Sequence, residues 1–269
     1  MALLTCAELV RQCLDPDASA WRHFITDYLP LAGLLLDRHY PQLAPRREAL
    51  LREVLLRARD EQARFLRDYR GRSEREFLLH LREMVLSVLD EAAPVAPVPE
   101  TPLDWETFEA ALAPLTALEK QVVWLDTLNP REPDLAVMLR LDDRSVAAAR
   151  QKAQDLLRAQ CDRWSADQLV QNRYRLALAV RSRATKDCAD ARLFLHLLDG
   201  QLTWRDRTEL DRHLEQCWHC VDALCRLREA ARLGRVAQPF TEAEAQPYLR
   251  VLGFSPELAP RWKRWLGAG

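Results

Sequence analysis

The sequence predicts an all-α, multi-domain helical protein, and three observations carry that reading. Leu, Ala, Arg and Glu dominate, all good helix formers. Glycine occurs only seven times in 269 residues, and alternating runs of Val, Ile and Thr are nearly absent. Apolar residues recur at three- and four-residue intervals, the period of a helix with one buried face. At 31.1 kDa the chain has room for two or three hydrophobic cores.

Residues 1–92 read as packed helices. Thr5 and Glu8 form a capping pair, and Asp15 reads as a cap placing Pro16 at the first helical position. Trp21, Phe24, Ile25, Tyr28 and Leu29 then make one apolar stripe. A long helix after Pro45 turns Leu50, Leu51, Val54, Leu55 and Ala58 inward. Between Arg46 and Arg70 it carries eight arginines against five acids. RGRS (70–73) breaks it, and FLLHLREMVLSVL (77–89) starts another. Four prolines within 93–103 stiffen the chain and remove helical donors, so this stretch is a linker and a domain boundary.

A second helical unit spans 104–164. Thr116 and Glu119 cap one of its helices, Asn129-Pro130 ends it, and two short helices follow around LDDRS (141–145). A linker helix at 165–185, a small unit at 186–234 and a helical tail at 235–269, with Trp262 and Trp265 near its end, complete the order.

The formal charge of −1 and pI near 6.6 give no global basic field for nucleic acid or an anionic membrane. No run approaches the roughly 18 apolar residues of a membrane span, and MALLTCAELVRQC lacks the basic flank and apolar core of a signal peptide. Seven cysteines, with Cys6, Cys13 and Cys161 scattered, suit a reducing cytoplasm and one cluster rather than a disulfide framework.

That cluster is HLEQCWHC (213–220), with donors at H-x3-C-x2-C. A tetrahedral zinc needs four nitrogen or sulfur donors. TWRDRTELDRHLEQC reads as a helix capped by Thr203 and Asp206, which puts His213 and Cys217 at i, i+4 on one face. The fourth donor must come from another helix. Cys188 is the leading candidate, opening ADARLFLHLL before the Asp199-Gly200 turn, with His196 and Cys225 behind it. His219 points away between the cysteines. Packing of small cysteines beside a solvated histidine explains each residue singly, but not four donors at this spacing. We expect one zinc per chain, held by Cys188, His213, Cys217 and Cys220. Four protein ligands leave no open position for water, and no Gly-rich phosphate loop or G-x-S-x-G is present, so the sequence points away from an enzyme.

CADARLFLHLLDGQLTWRDRTELDRHLEQCWHC (188–220) closely resembles the zinc-binding domain of bacterial anti-sigma factors, including the LLDGQL turn and the HLxxCxxC end. The resemblance implies that the positions matching Cys188, His213, Cys217 and Cys220 hold zinc in a small helical bundle that grips a sigma factor. Some members of that family use the cysteines as a redox switch, for which Cys225 would be an extra thiol. The preceding segments resemble the customary partner. WRHFITDYLPLAGLLLDRHYP (21–41), LREVLLRAR (51–59) and YRGRSEREFLLHLR (69–82) are similar to region 2 of extracytoplasmic-function sigma factors of the sigma-70 family. EKQVVWLDTL, PDLAVML, RLDD and RSVAAARQKAQDLLRAQ, within 104–164, are similar to their region 4.

This order implies a sigma-70-like transcription regulator fused to its own zinc-binding regulatory domain. The expected partners are the RNA polymerase core, promoter DNA, and the zinc unit itself, bound by the sigma-like part within or between chains. The arginines of 46–70 are the candidate polymerase surface. A helix-turn-helix reads DNA with its second helix. There Val146, Ala153, Leu156 and Leu157 face the core with Ala149 at the margin. Arg144, Ser145, Ala147, Ala148, Gln151 and Lys152 face outward, and Arg144, Ser145, Gln151 and Lys152 are the candidate DNA contacts. The chain departs from the family pattern at Ala147 and Ala149, where basic residues are usual. Seven basic and seven acidic residues between Glu119 and Gln160 leave little net attraction for phosphate. Arg72 to Ala93 likewise holds three arginines against five acids and finishes VLDEAAP. These departures sustain a second expectation, an anti-sigma-like adaptor or zinc sensor that works through protein contacts alone.

Overall fold

A computed structural model of the chain describes residues 5–15, 17–60, 64–93, 103–127, 132–160 and 166–254. The expectations at Pro16, the 94–102 prolines, Asn129-Pro130, Cys161, Trp262 and Trp265 lie outside them. Every regular element among the described residues is a helix. None of these helices is long and apolar enough to cross a membrane. The chain divides into two compact units, Met1–Ala93 with Leu233–Gly269, and Pro94–Arg232.

In the first unit, α1 (Cys6–Leu14) is capped by Thr5, whose hydroxyl accepts from the Glu8 N–H. Asp15 does not start the next helix. It closes α1 by donating its N–H to the Arg11 carbonyl, and Asp17 caps α2 (Ala18–His23) instead. A π-helical turn, Phe24–Tyr28, carries α2 into α3 (Leu29–His39). All five residues of the expected stripe are buried. Tyr28 and Tyr69 both meet Phe77 edge-on, at 4.9 and 5.4 Å between centroids.

A 3-10 turn, Pro41–Arg46, precedes α4 (Arg47–Arg59), which buries the five residues its periodicity assigns. The helix stops at Arg59 rather than running on to RGRS. A short α5 (Phe65–Asp68) follows Arg64, whose φ of 54° is left-handed and incompatible with continuing a helix. A reciprocal Ser73–Glu76 capping box starts α6 (Glu74–Ala92). The arginines of 46–70 are largely engaged at home: Arg47 with Asp37, Arg52 with Glu48, Arg57 with Glu91, Arg46 on the Ala92 carbonyl and Arg59 on the Leu252 carbonyl.

The second unit holds α7 (Trp105–Ala111), α8 (Ala117–Thr127), α9 (Glu132–Leu139), α10 (Asp143–Gln160), α11 (Ala166–Arg181), α12 (Ala191–Asp199) and α13 (Trp204–Gln216). It also holds α14 (Trp218–Val236) as far as Arg232. Asp104 caps α7, and Thr116 and Glu119 exchange the bonds of a capping box at α8. Between α9 and α10, Arg140 takes a φ of 57° and Asp142 accepts from the Ser145 N–H, making the turn of the helix-turn-helix pattern. On α10 the buried stripe is Val146, Ala149, Ala153 and Leu157. Ala149 completes it, and Leu156 is half-exposed rather than facing the core. Residues 104–160 and 188–232, separate segments in the sequence reading, share one unit built around Trp105, Phe108, Trp124 and Trp218.

The tail returns to the first unit as α15 (Glu242–Val251), started by a Thr241–Glu244 capping box. Its approach is anchored where Phe240 donates its N–H to the Thr26 carbonyl at 2.9 Å. That carbonyl is open because the residue four positions on is Pro30, which has no N–H to give it. Arg22 pairs with Glu242 on the same face.

Candidate metal centre

The centre is built on the α12–α13 hairpin. Cys188 sits in the turn before α12, its N–H on the Thr185 carbonyl at 3.2 Å, and Asp190 caps the helix. Cys188 thus precedes α12 rather than opening it. Gly200 ends α12 at φ 70°, a left-handed position where a Cβ would meet no neighbouring atom. Gly200→Ala is therefore expected to destabilise by backbone strain alone, about 1–2 kcal/mol, read as a shifted midpoint in urea denaturation. Thr203 then caps α13, accepting from the Asp206 N–H.

His213 lies in the last turn of α13, but Cys217 is not on the helix with it. Cys217 is the C-cap, with extended backbone (φ −119°, ψ 98°), and its N–H is bonded to the His213 carbonyl at 2.9 Å. The sequence reading placed the two on one helical face; the cap brings them together instead. α14 begins at Trp218, so Cys220 occupies its first turn.

Cys188 Sγ is 3.8 Å from Cys217 Sγ, and His213 Nε2 is 3.1 Å from Cys220 Sγ. The ligand atoms of Cys188, His213, Cys217 and Cys220 all lie within 4.8 Å of one another. Bonds of about 2.3 Å to a tetrahedral ion put two sulfurs about 3.8 Å apart, so the quartet fits one ion without rearrangement of the backbone. The four residues can hold a metal ion. The other sequence candidates stand outside the group: His196 is exposed, Cys225 is fully buried with its thiol toward the Gln121 carbonyl, and His219 Nδ1 meets the Val180 carbonyl at 3.3 Å.

Backbone N–H groups reach two of the sulfurs. The Thr185 N–H donates to Cys188 Sγ at 3.2 Å, and the Ala189 N–H to Cys220 Sγ at 3.4 Å. The hydrogen bond from the Cys220 thiol holds Cys217 well below the ordinary thiol range, and the same bond, with burial, pushes Cys220 up. Cys225 is pushed up by burial, which keeps it a protonated thiol.

Trp218 lies between the two knuckle cysteines and is only 3% exposed. Its ring centroid is 5.1 Å from Phe108, 5.9 Å from Trp124 and 6.2 Å from Trp105, so the knuckle is wedged into the core made by α7 and α8. Polar bonds extend the seam. Trp124 Nε1 donates to Asp222 at 2.9 Å, Arg228 reaches the Met138 carbonyl at 2.9 Å, and Arg232 pairs with Asp134.

Sequence reasoning missed Lys120. It is buried at 2% exposure, donates to the Glu215 carbonyl, and holds its ammonium 5.1 Å from the Trp218 ring centroid. Burial lowers its pKa, opposed by the charges of Glu109, Glu215 and Cys217. The signal that would have found it is register: Lys120 stands three residues after Ala117 and four before Trp124, on the buried stripe of α8.

The four candidate DNA contacts are all exposed on α10. Lys152 is paired with Glu119 at 2.8 Å, Gln151 donates to Asp155, and Ser145 is bonded to Asp142 through both its N–H and its hydroxyl. Arg150 makes a two-bond fork on Asp126 at 2.6 and 2.7 Å. No family model, no curated protein and no solved structure matches the chain.

Proposed function

We propose that the chain is a transcription regulator of the sigma-70 type, with its zinc-binding unit folded onto its own region 4-like helices. The observation that carries this reading is the seat of Trp218. A residue of the metal knuckle forms one core with Trp105, Phe108 and Trp124 of the segment that resembles region 4. An anti-sigma-like unit fused to its partner is expected to make such an intramolecular contact. Cys188, His213, Cys217 and Cys220 would hold one zinc, a choice favoured by three soft thiolates and one imidazole in a closed set. Bound zinc supplies a structural cross-link between the α12–α13 hairpin and α14. The chain's own residues do the rest: backbone N–H groups steady the thiolates, and Trp218 transmits their position to α8.

A second reading, an adaptor that makes protein contacts only, is favoured by the pairing on α10. Lys152 and Arg150 are spent on Glu119 and Asp126 of α8, and phosphate contact would have to compete with those carboxylates. Titrating the full chain against bacterial RNA polymerase core, then sequencing run-off transcripts from a genomic fragment library, separates the two. Saturable core binding with fragment-selective initiation is the result expected for a sigma factor. Core binding without initiation leaves the adaptor, and no core binding overturns the polymerase reading in both forms.

A further inference from the structure

We infer that Lys120 is the counter-ion and positioning residue of the metal centre, an ammonium supplied by α8 to a site whose ligands all lie on other segments. The inference rests on the metal reading above and goes beyond it by assigning a residue outside the ligand quartet.

Three observations support it. First, Lys120 is buried, and the anionic groups that act on its ammonium are Glu109, Glu215 and the Cys217 sulfur of the quartet. An ammonium without a compensating charge is costly in a protein interior. The nearby Glu109 carboxylate already accepts from Trp105 Nε1 at 2.9 Å and faces Arg183 at 3.7 Å, and Glu215 is exposed. Second, both contacts of the ammonium are on the ligand-bearing stretch. The Glu215 carbonyl lies two residues before Cys217, and the Trp218 ring lies one residue after it. Third, the charges close. Three thiolates and a neutral imidazole around a divalent ion sum to one negative charge. A single lysine balances it. Metal binding thereby supplies the anion that makes a buried cation on α8 favourable.

The test is metal affinity, not activity. Zinc binding by the full chain is measured in competition with a chromogenic chelator, and cobalt(II) is used to read the thiolate charge-transfer and d–d bands. Lys120→Met and Lys120→Gln are expected to bind about 10–100-fold more weakly than wild type, the usual effect of losing an outer partner of metal ligands, with the tetrahedral cobalt spectrum retained. Lys120→Arg, which keeps the charge, is expected to recover most of that loss. Lys120→Gln keeps a donor for the Glu215 carbonyl without the charge, so it remains informative if the methionine variant fails to fold. Equal affinity of wild type and Lys120→Gln would overturn the inference while leaving the metal site intact. A wild-type chain that binds neither zinc nor cobalt would overturn the metal reading and this inference together.

Discussion

Replacing Cys217 with serine is expected to strip the purified chain of metal and to destabilise its second unit by more than about 4 kcal/mol, where loss of a structural ion usually falls. The upper bound is set by small zinc domains, in which the ion contributes roughly 10–16 kcal/mol and the apo form is unfolded. The second unit has an aromatic core of its own, so its α7–α10 helices should outlast the hairpin. Elemental analysis of untagged protein and urea denaturation with and without chelator check both halves of the prediction. Cys225→Ala is the matched control: the residue is buried but outside the quartet, so metal content should stay at one ion per chain. Acid acts in the same direction as the serine. Thiolates and imidazole must be deprotonated to bind, so occupancy is full near neutral pH and falls as protons compete for the ligands. Full zinc content in Cys217→Ser would refute the coordination assignment.

Trp218→Ala is the second large effect, expected to cost about 3–5 kcal/mol. The ring is buried among three aromatic side chains on α7 and α8 and carries Lys120 on its face. A smaller ring in Trp218→Phe should recover about half of that loss, and metal affinity should fall in parallel because residue 218 spaces two ligands. Trp204 gives the contrast. It is 82% exposed at the start of α13, and Trp204→Ala should stay within about 0.5 kcal/mol of wild type in the same urea series. Equal effects at 204 and 218 would mean that the knuckle is not seated in the core.

Much of this was legible in the sequence because helical periodicity reports burial directly. The stripe from Trp21 to Leu29 and the inward set of α4 came out residue by residue, and donor spacing singled out the four side chains that the fold brings together. What periodicity does not report is the partner. Trp218 reads as an apolar residue in a helix start, and only the fold makes it the contact between the Cys217–Cys220 knuckle and α8. Cap geometry is equally hidden. His213 and Cys217 have the i, i+4 spacing of neighbours on a helix, yet the chain leaves the helix at Cys217 and reaches the same proximity through extended backbone. Lys120 was legible only through its register. A lysine within a helix ordinarily marks a solvated face, and here the spacing from Ala117 and to Trp124 has to outweigh that rule. The stop of α4 at Arg59 and the start of α2 at Asp17 show the usual weakness of boundary assignment where several charged residues could serve as caps.

The return of Phe240 to the Thr26 carbonyl has a consequence for biosynthesis. A ribosome delivers residues 94–232 before the segment that finishes the first unit, and at about 5–20 residues per second that interval lasts about 7–28 s. The N-terminal helices therefore emerge with one surface uncovered and wait for a downstream partner. The order of completion therefore runs from the second unit to the first.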